Sequence, residues 1–178
     1  MVNIKESDIN IYIVDDDELL SKILRTKFEQ SGDYKIISFI TGEEFLTYYK
    51  TAPSNKRQTH IVILDYLLKS NTNPNVSNGI DILKSIKELN KDIEVIMLSG
   101  IDDVDIATLA MKMGAVSFVK KNENSFLRIQ NNVKFLISDK QLTLTRNQSK
   151  FTKLVFFTII AIVLLIAIYY IVTETLHN

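Results

Sequence analysis

Three consecutive carboxylates, Asp15, Asp16 and Asp17, follow an apolar run that begins at Ile9. Like charges packed side by side repel and raise each other's pKa unless a cation or a basic side chain neutralises them. Asp17 and Glu18 have an ordinary use, capping and charging the first turn of a following helix. That use does not extend to Asp15 and Asp16, on the strand side of the turn. Carboxylates so placed can hold a hard cation, and a single one can act as a nucleophile. Downstream, the apolar run Ile61, Val62, Ile63, Leu64 ends in Asp65. Another, Val95 to Leu98, ends in Ser99 and Gly100, and Val116 to Val119 is followed by Lys120 and Lys121. Taken singly, Ser99 is equally an ordinary turn residue and the lysines a solvated pair.

These runs are short and β-branched, as buried strands are. Between them lie stripes of helical period: Leu20, Ile23, Leu24 and Phe28; Ile80, Leu83, Ile86 and Leu89; Ile106, Leu109, Ala110 and Met113. The first is followed by Gly32 and the third by Gly114, as helix ends commonly are. Residues 34–40 read as a further strand, a short helix follows around residues 43–49, and Phe126, Ile129, Val133 and Leu136 mark a last amphipathic helix. Strand alternating with helix predicts an α/β fold, a doubly wound parallel sheet covered on both faces. In such a sheet the carboxyl ends of the strands open on one crevice. Asp15, Asp16, Asp65, Ser99 and Lys121 all fall at those ends.

Over residues 7–138 the chain resembles the receiver domain of two-component response regulators. The resemblance is carried by Val14-Asp15-Asp16, Leu64-Asp65, Leu98-Ser99-Gly100, and Gly114-Ala115 followed by Phe118 and Lys121. It implies a flavodoxin-like sheet of five strands in the order 2-1-3-4-5. Asp65 would be the phospho-acceptor. Asp15, Asp16, Asp65 and the backbone carbonyl of Leu67 would hold Mg²⁺, with Asp15 acting through water. Ser99 would be the switch hydroxyl, Phe118 the switch aromatic and Lys121 the phosphate-pairing lysine. The chemistry agrees: phosphoryl transfer spreads negative charge over three oxygens, so the site must supply positive charge and positioning. Mg²⁺ needs few protein oxygens and keeps its waters, and Lys121 adds a point charge.

The departures concern loops. The resembled family usually carries Met-Pro soon after the acceptor and a glycine eight residues beyond it. Here Gly79 lies fourteen residues past Asp65, so the loop is about six residues longer and rich in Asn, Ser and Pro, as surface turns are. Asn122 stands where the family usually has proline after the lysine. None of these changes removes a charge from the site.

Residues 154–172 form a second distinct feature. These nineteen residues carry no charge, and fourteen of them are Leu, Ile, Val or Phe. At helical rise they span roughly 28 Å, against a hydrocarbon core of about 30 Å. Their insertion is worth roughly −4 to −8 kcal/mol. Arg146, Lys150 and Lys153 precede the run and no Lys or Arg follows it. The positive-inside rule then predicts a single-pass helix in the inner (cytoplasmic) membrane, with the receiver in the cytoplasm. Residues 139–153 would be a basic juxtamembrane linker, and residues 173–178 a short external tail. Whether the linker extends or interrupts the last helix is open.

The chain has 178 residues with 21 basic and 21 acidic side chains, so net charge gives a nucleic-acid role no support. It has no cysteine, which excludes disulfides and thiolate metal sites. Its first residues lack a signal-peptide pattern. The expectation is a membrane-tethered single-domain response regulator, not an enzyme, that takes a phosphoryl group from a sensor histidine kinase or phosphotransfer protein and acts on a downstream protein. The alternative is a phosphorylation-independent, receiver-like scaffold at the membrane. A phosphatase on a similar sheet is a distant third, because the position two residues after the nucleophile, where such enzymes commonly need a carboxylate, is Leu67.

Overall fold

The structure is a computed structural model that describes residues 4–52, 58–68 and 79–177; the side chains of residues 147, 148, 154, 164 and 166–177 are excepted. Its five parallel strands are β1 (Ile9–Val14), β2 (Lys35–Phe39), β3 (Thr59–Asp65), β4 (Glu94–Ser99) and β5 (Ser117–Lys120). They lie in the order β2-β1-β3-β4-β5, as expected. The helices between and after them are α1 (Glu18–Glu29), α2 (Gly42–Thr51), α3 (Gly79–Leu89), α4 (Val104–Lys112) and α5 (Ser125–His177).

The period of two along each strand feeds two cores, one per face. Ile9, Ile11 and Ile13 of β1 join Leu24 and Phe28 of α1 and Ile129 and Val133 of α5. Tyr12 and Val14 face the other way, onto Phe45 of α2, Leu83 and Ile86 of α3 and Ala110 of α4. Register then levels the strand tips: Val14 pairs with Leu64, Asp65 with Leu98, and Ser99 with Lys120.

Local signals set the helix ends. Asp17 is the N-cap of α1, its carboxylate accepting from the backbone N–H groups of Leu19 and Leu20 at 3.0 Å each. Asp103 caps α4 in the same way. Gly114, after α4, has φ +98°, a left-handed conformation that a side chain would strain.

Some expected core positions face out. Ile23 is exposed on α1 and Leu89 at the end of α3, whereas Ile82, outside the expected stripe, is buried. On α4 only Ala110 is buried; Val104, Leu109 and Met111 are exposed, as is Met113 just past its end. Helical period marks an apolar face, but an element must lie over that face to bury it.

The chain divides into two compact units, residues 4–137 and a second that takes in residue 138 onward. Residues 138–153, left open by the sequence, are helical within α5. Among the described residues no helix is long and apolar enough to cross a membrane, so the expected transmembrane helix over residues 154–172 is not found there. Within that run the side chains of residues 154, 164 and 166–172 lie outside the described ones, as do those of residues 173–178. Both cores of the first unit are complete by Ile137. A chain ending at residue 140 is therefore expected to be soluble and to unfold in one cooperative step. Aggregation, or a broad urea transition, would show that later residues belong to the fold.

Candidate functional site

The site is built where the tips of β1, β3 and β4 meet the turn after β5. Backbone hydrogen bonds lace these ends: Asp15 N–H to Phe39 O at 3.1 Å, Tyr66 N–H to Leu98 O at 2.8 Å, and Lys121 N–H to Ser99 O at 2.7 Å. Asp15, Asp16 and Asp65 each offer a carboxylate oxygen, and these oxygens lie within 4.8 Å of one another. Asp15 is 1 % exposed and Asp65 4 %, so their charges are shielded from bulk water. Asp17, the third acid of the run, is used in capping and is not part of this cluster.

Lys121 reaches into the cluster, its Nζ 2.8 Å from Asp15 Oδ2 and 2.9 Å from Asp65 Oδ2. Asp15 Oδ1 accepts from the Asp17 N–H at 2.9 Å. Asp15 Oδ2 is buried, and Lys121 is the charged group it faces. Burial, and then the Asp15 charge, push the Asp65 carboxyl up to about 6, against the pull of Lys121 and of the Leu67 N–H. Burial opposes the charge on Lys121, but Asp15 and Asp65 outweigh it and hold its pKa above the ordinary lysine value.

Three carboxylates gather at this point, two of them around the one ammonium of Lys121. The donors are all hard oxygens, and Asp15 Oδ2 has spare accepting capacity at the buried wall. This set fits a divalent, oxygen-preferring ion such as Mg²⁺. Asp15, Asp16 and Asp65 are brought together as expected, and Leu67 lies at the rim with its backbone N–H turned to Asp65.

Ser99 is fully buried at the tip of β4. Its hydroxyl accepts from the Ile101 N–H at 3.0 Å and lies 3.1 Å from the Ile101 carbonyl. It is thus engaged with the loop before α4, and no hydrogen bond joins it to Asp65 among the described residues. Phe118 is half-buried on β5, packed against one core. It also lines a groove of about 370 Å³ with Asp102, Asp103, Val104, Thr108 and Met111. Lys120 pairs with Asp102 at 2.7 Å on the surface, so the two neighbouring lysines have different work.

Sequence reasoning underrated Gly79. A Cβ there would collide with the carbonyl oxygen of Asp65 and lie 2.9 Å from Tyr66 Cα. The Gly79 N–H donates to Tyr66 O at 2.7 Å, so the start of α3 backs the acceptor directly. The obstructing atoms are backbone and cannot swing away. Gly79→Ala is expected to cost about 1–3 kcal/mol, by analogy with overpacking, and to slow phosphorylation. Urea denaturation together with labelling rates would check it; unchanged values would show that the contact is relieved elsewhere. The longer loop ahead of Gly79, residues 69–78, lies outside the described residues.

The family model for the response regulator receiver domain matches residues 11–132. The transcriptional regulatory protein CssR of Bacillus subtilis is 31 % identical over 112 residues, which are 62 % of this chain and 44 % of CssR. FixJ of Rhizobium meliloti, also a transcriptional regulatory protein, is 30 % identical over 65 % of this chain and 50 % of its own. The chain thus spans about half the length of the curated relatives it matches. The BeF₃-activated receiver domain of DrrB, an OmpR/PhoB homologue from Thermotoga maritima, is 28 % identical with a TM-score of 0.59 over 72 % of this chain and 97 % of that one. With its strand order, its acid cluster and a family match over most of its length, the chain belongs to the response regulator receiver family.

Proposed function

We infer that this protein is a phospho-accepting switch in a two-component phosphorelay, with Asp65 as the acceptor. The observation that carries the reading is the meeting of Asp15, Asp16, Asp65 and Lys121 at one point. Receiver domains take their phosphoryl group from histidine kinases or phosphotransfer proteins, and the same donors are proposed here. An Asp65 Oδ attacks the donor phosphorus; the new O–P bond forms as the N–P bond breaks, and the imidazole nitrogen keeps the bonding pair. Asp16, Asp65 and the Leu67 carbonyl would hold Mg²⁺ directly and Asp15 through water; the ion supplies positive charge against the phosphoryl oxygens. Lys121 gives up part of its contact with the acids to pair with a phosphoryl oxygen. Ser99 then has a new acceptor in place of Ile101, which frees the loop leading to α4. Phe118 moves with that loop to present an altered surface to a downstream protein. The protein is a substrate and carrier of the group, not a catalyst with turnover.

The proposal also places the receiver at a membrane, on its cytoplasmic side, through residues 154–172. Support comes from the uncharged length of that run and from the basic residues before it.

Incubation with a phosphorylated histidine kinase, with and without Mg²⁺, tests the acceptor reading. Label that needs the metal supports it; a chain that binds partners equally well unlabelled and never accepts label is the scaffold alternative. Fractionation tests the tether: the full chain is expected in the membrane pellet, and a chain ending at residue 140 in the supernatant. A full chain that stays in the supernatant would overturn the tether alone.

A further inference from the structure

We propose that Arg146, Lys150 and Lys153 form a stripe on α5 that binds the headgroups of anionic phospholipids. The proposal rests on the membrane reading above and adds the chemistry of the lipid. Residues 146–153 are helical, so positions separated by four and three residues lie one above another on one face. All three side chains are exposed, and none forms a salt bridge among the described residues. Between Asp139 and Glu174 the chain carries Lys140, Arg146, Lys150 and Lys153 and not one acid. Like charges stacked at this spacing repel within a helix, so the stripe needs its counter-charge from outside.

What lies beyond the stripe identifies that counter-charge. On the same face the next positions are Phe157 and Ile160, 65 % and 39 % exposed. One continuous face therefore changes from basic to apolar within a turn. The basic part rises about 10 Å along the axis, similar to the depth of a polar headgroup layer outside the hydrocarbon. A phosphate can be engaged by a guanidinium through two parallel hydrogen bonds and by an ammonium as a point charge. Basic residues just outside a membrane segment draw anionic lipids in this way. A zwitterionic headgroup offers no net charge, and an acidic protein helix would leave the apolar half of the face unmatched.

The chain has no cysteine, so Ser149→Cys, exposed among the three basic residues, gives a single labelling position. The full chain, labelled there with a donor dye, is placed in phosphatidylcholine vesicles carrying acceptor dye on either phosphatidylglycerol or phosphatidylcholine. Energy transfer to phosphatidylglycerol is expected to exceed that to phosphatidylcholine by about twofold or more. The excess should vanish in Arg146→Gln/Lys150→Gln/Lys153→Gln and in the unsubstituted stripe at about 1 M salt. Equal transfer to both lipids would overturn the stripe and leave the membrane reading standing. Transfer to neither would overturn the membrane reading, and the stripe with it. An excess that survives the triple substitution, or salt if that variant fails to insert, would also overturn the assignment.

Discussion

Asp65→Asn is expected to abolish phosphorylation and, at neutral pH, to make the domain more stable. The folded carboxyl titrates at about 6, above the ordinary value of 3.8. Between these values the folded chain binds more protons than the unfolded one, so stability falls as pH rises from about 4 through 6. The shift corresponds to at most about 3 kcal/mol. Asn carries no charge, so the gain in stability should be full above pH 7 and vanish near pH 4. That gain is already net of the Lys121 contact, whose pull on the carboxylate is part of the value of about 6. Urea unfolding of both proteins at pH 4.5 and 7.5 measures this directly. Mg²⁺ should stabilise the unsubstituted domain at pH 7.5 and stabilise the variant less. A variant less stable at both pH values would mean that the Lys121 contact outweighs burial, and the charge account of the site would be wrong.

The second large effect concerns the lifetime of the phosphorylated state. Hydrolysis of an acyl phosphate needs a water held in line with the phosphorus. The positions two residues after Asp65 and two after Ser99 are Leu67 and Ile101, 53 % and 42 % exposed. They stand at the rim and are not buried in the core. Neither side chain has a group that can hold water, and their bulk would shield an acyl phosphate formed at Asp65. Slow self-hydrolysis is therefore expected, which suits a switch reset by a partner phosphatase. The double variant Leu67→Asn, Ile101→Glu should lose its phosphoryl group faster by on the order of tenfold to a hundredfold. Decay of purified phosphorylated receiver in Mg²⁺ gives the comparison. Equal rates would show that these side chains do not govern the water.

The alternation of strand and helix was legible from periodicity and the acid cluster from charge placed where strands end, whereas the strand order rested on the family resemblance alone. Asp15 and Asp16 stood out because capping explains Asp17 and nothing local explains them. The outward turn of Leu109 and Met113 was not legible, since an apolar stripe does not say whether another element covers it. Nor was the engagement of Ser99 with Ile101, a contact with backbone two residues away that any side chain at 101 permits. Gly79 was hidden by the extra residues ahead of it: its distance from Asp65 in sequence obscured its contact with the Asp65 carbonyl. The course of residues 138–153 in α5 could not be read either, because their mixed polar and apolar pattern suits a helix and a linker alike.

The central claim is that one carboxylate, at residue 65, takes the phosphoryl group. Borohydride reduction of the phosphorylated protein converts an aspartyl phosphate to homoserine, and peptide mass spectrometry locates it. The expected result is homoserine at position 65 alone, formed only when Mg²⁺ was present during phosphorylation. Homoserine at another aspartate, or label that persists in Asp65→Asn, would contradict it.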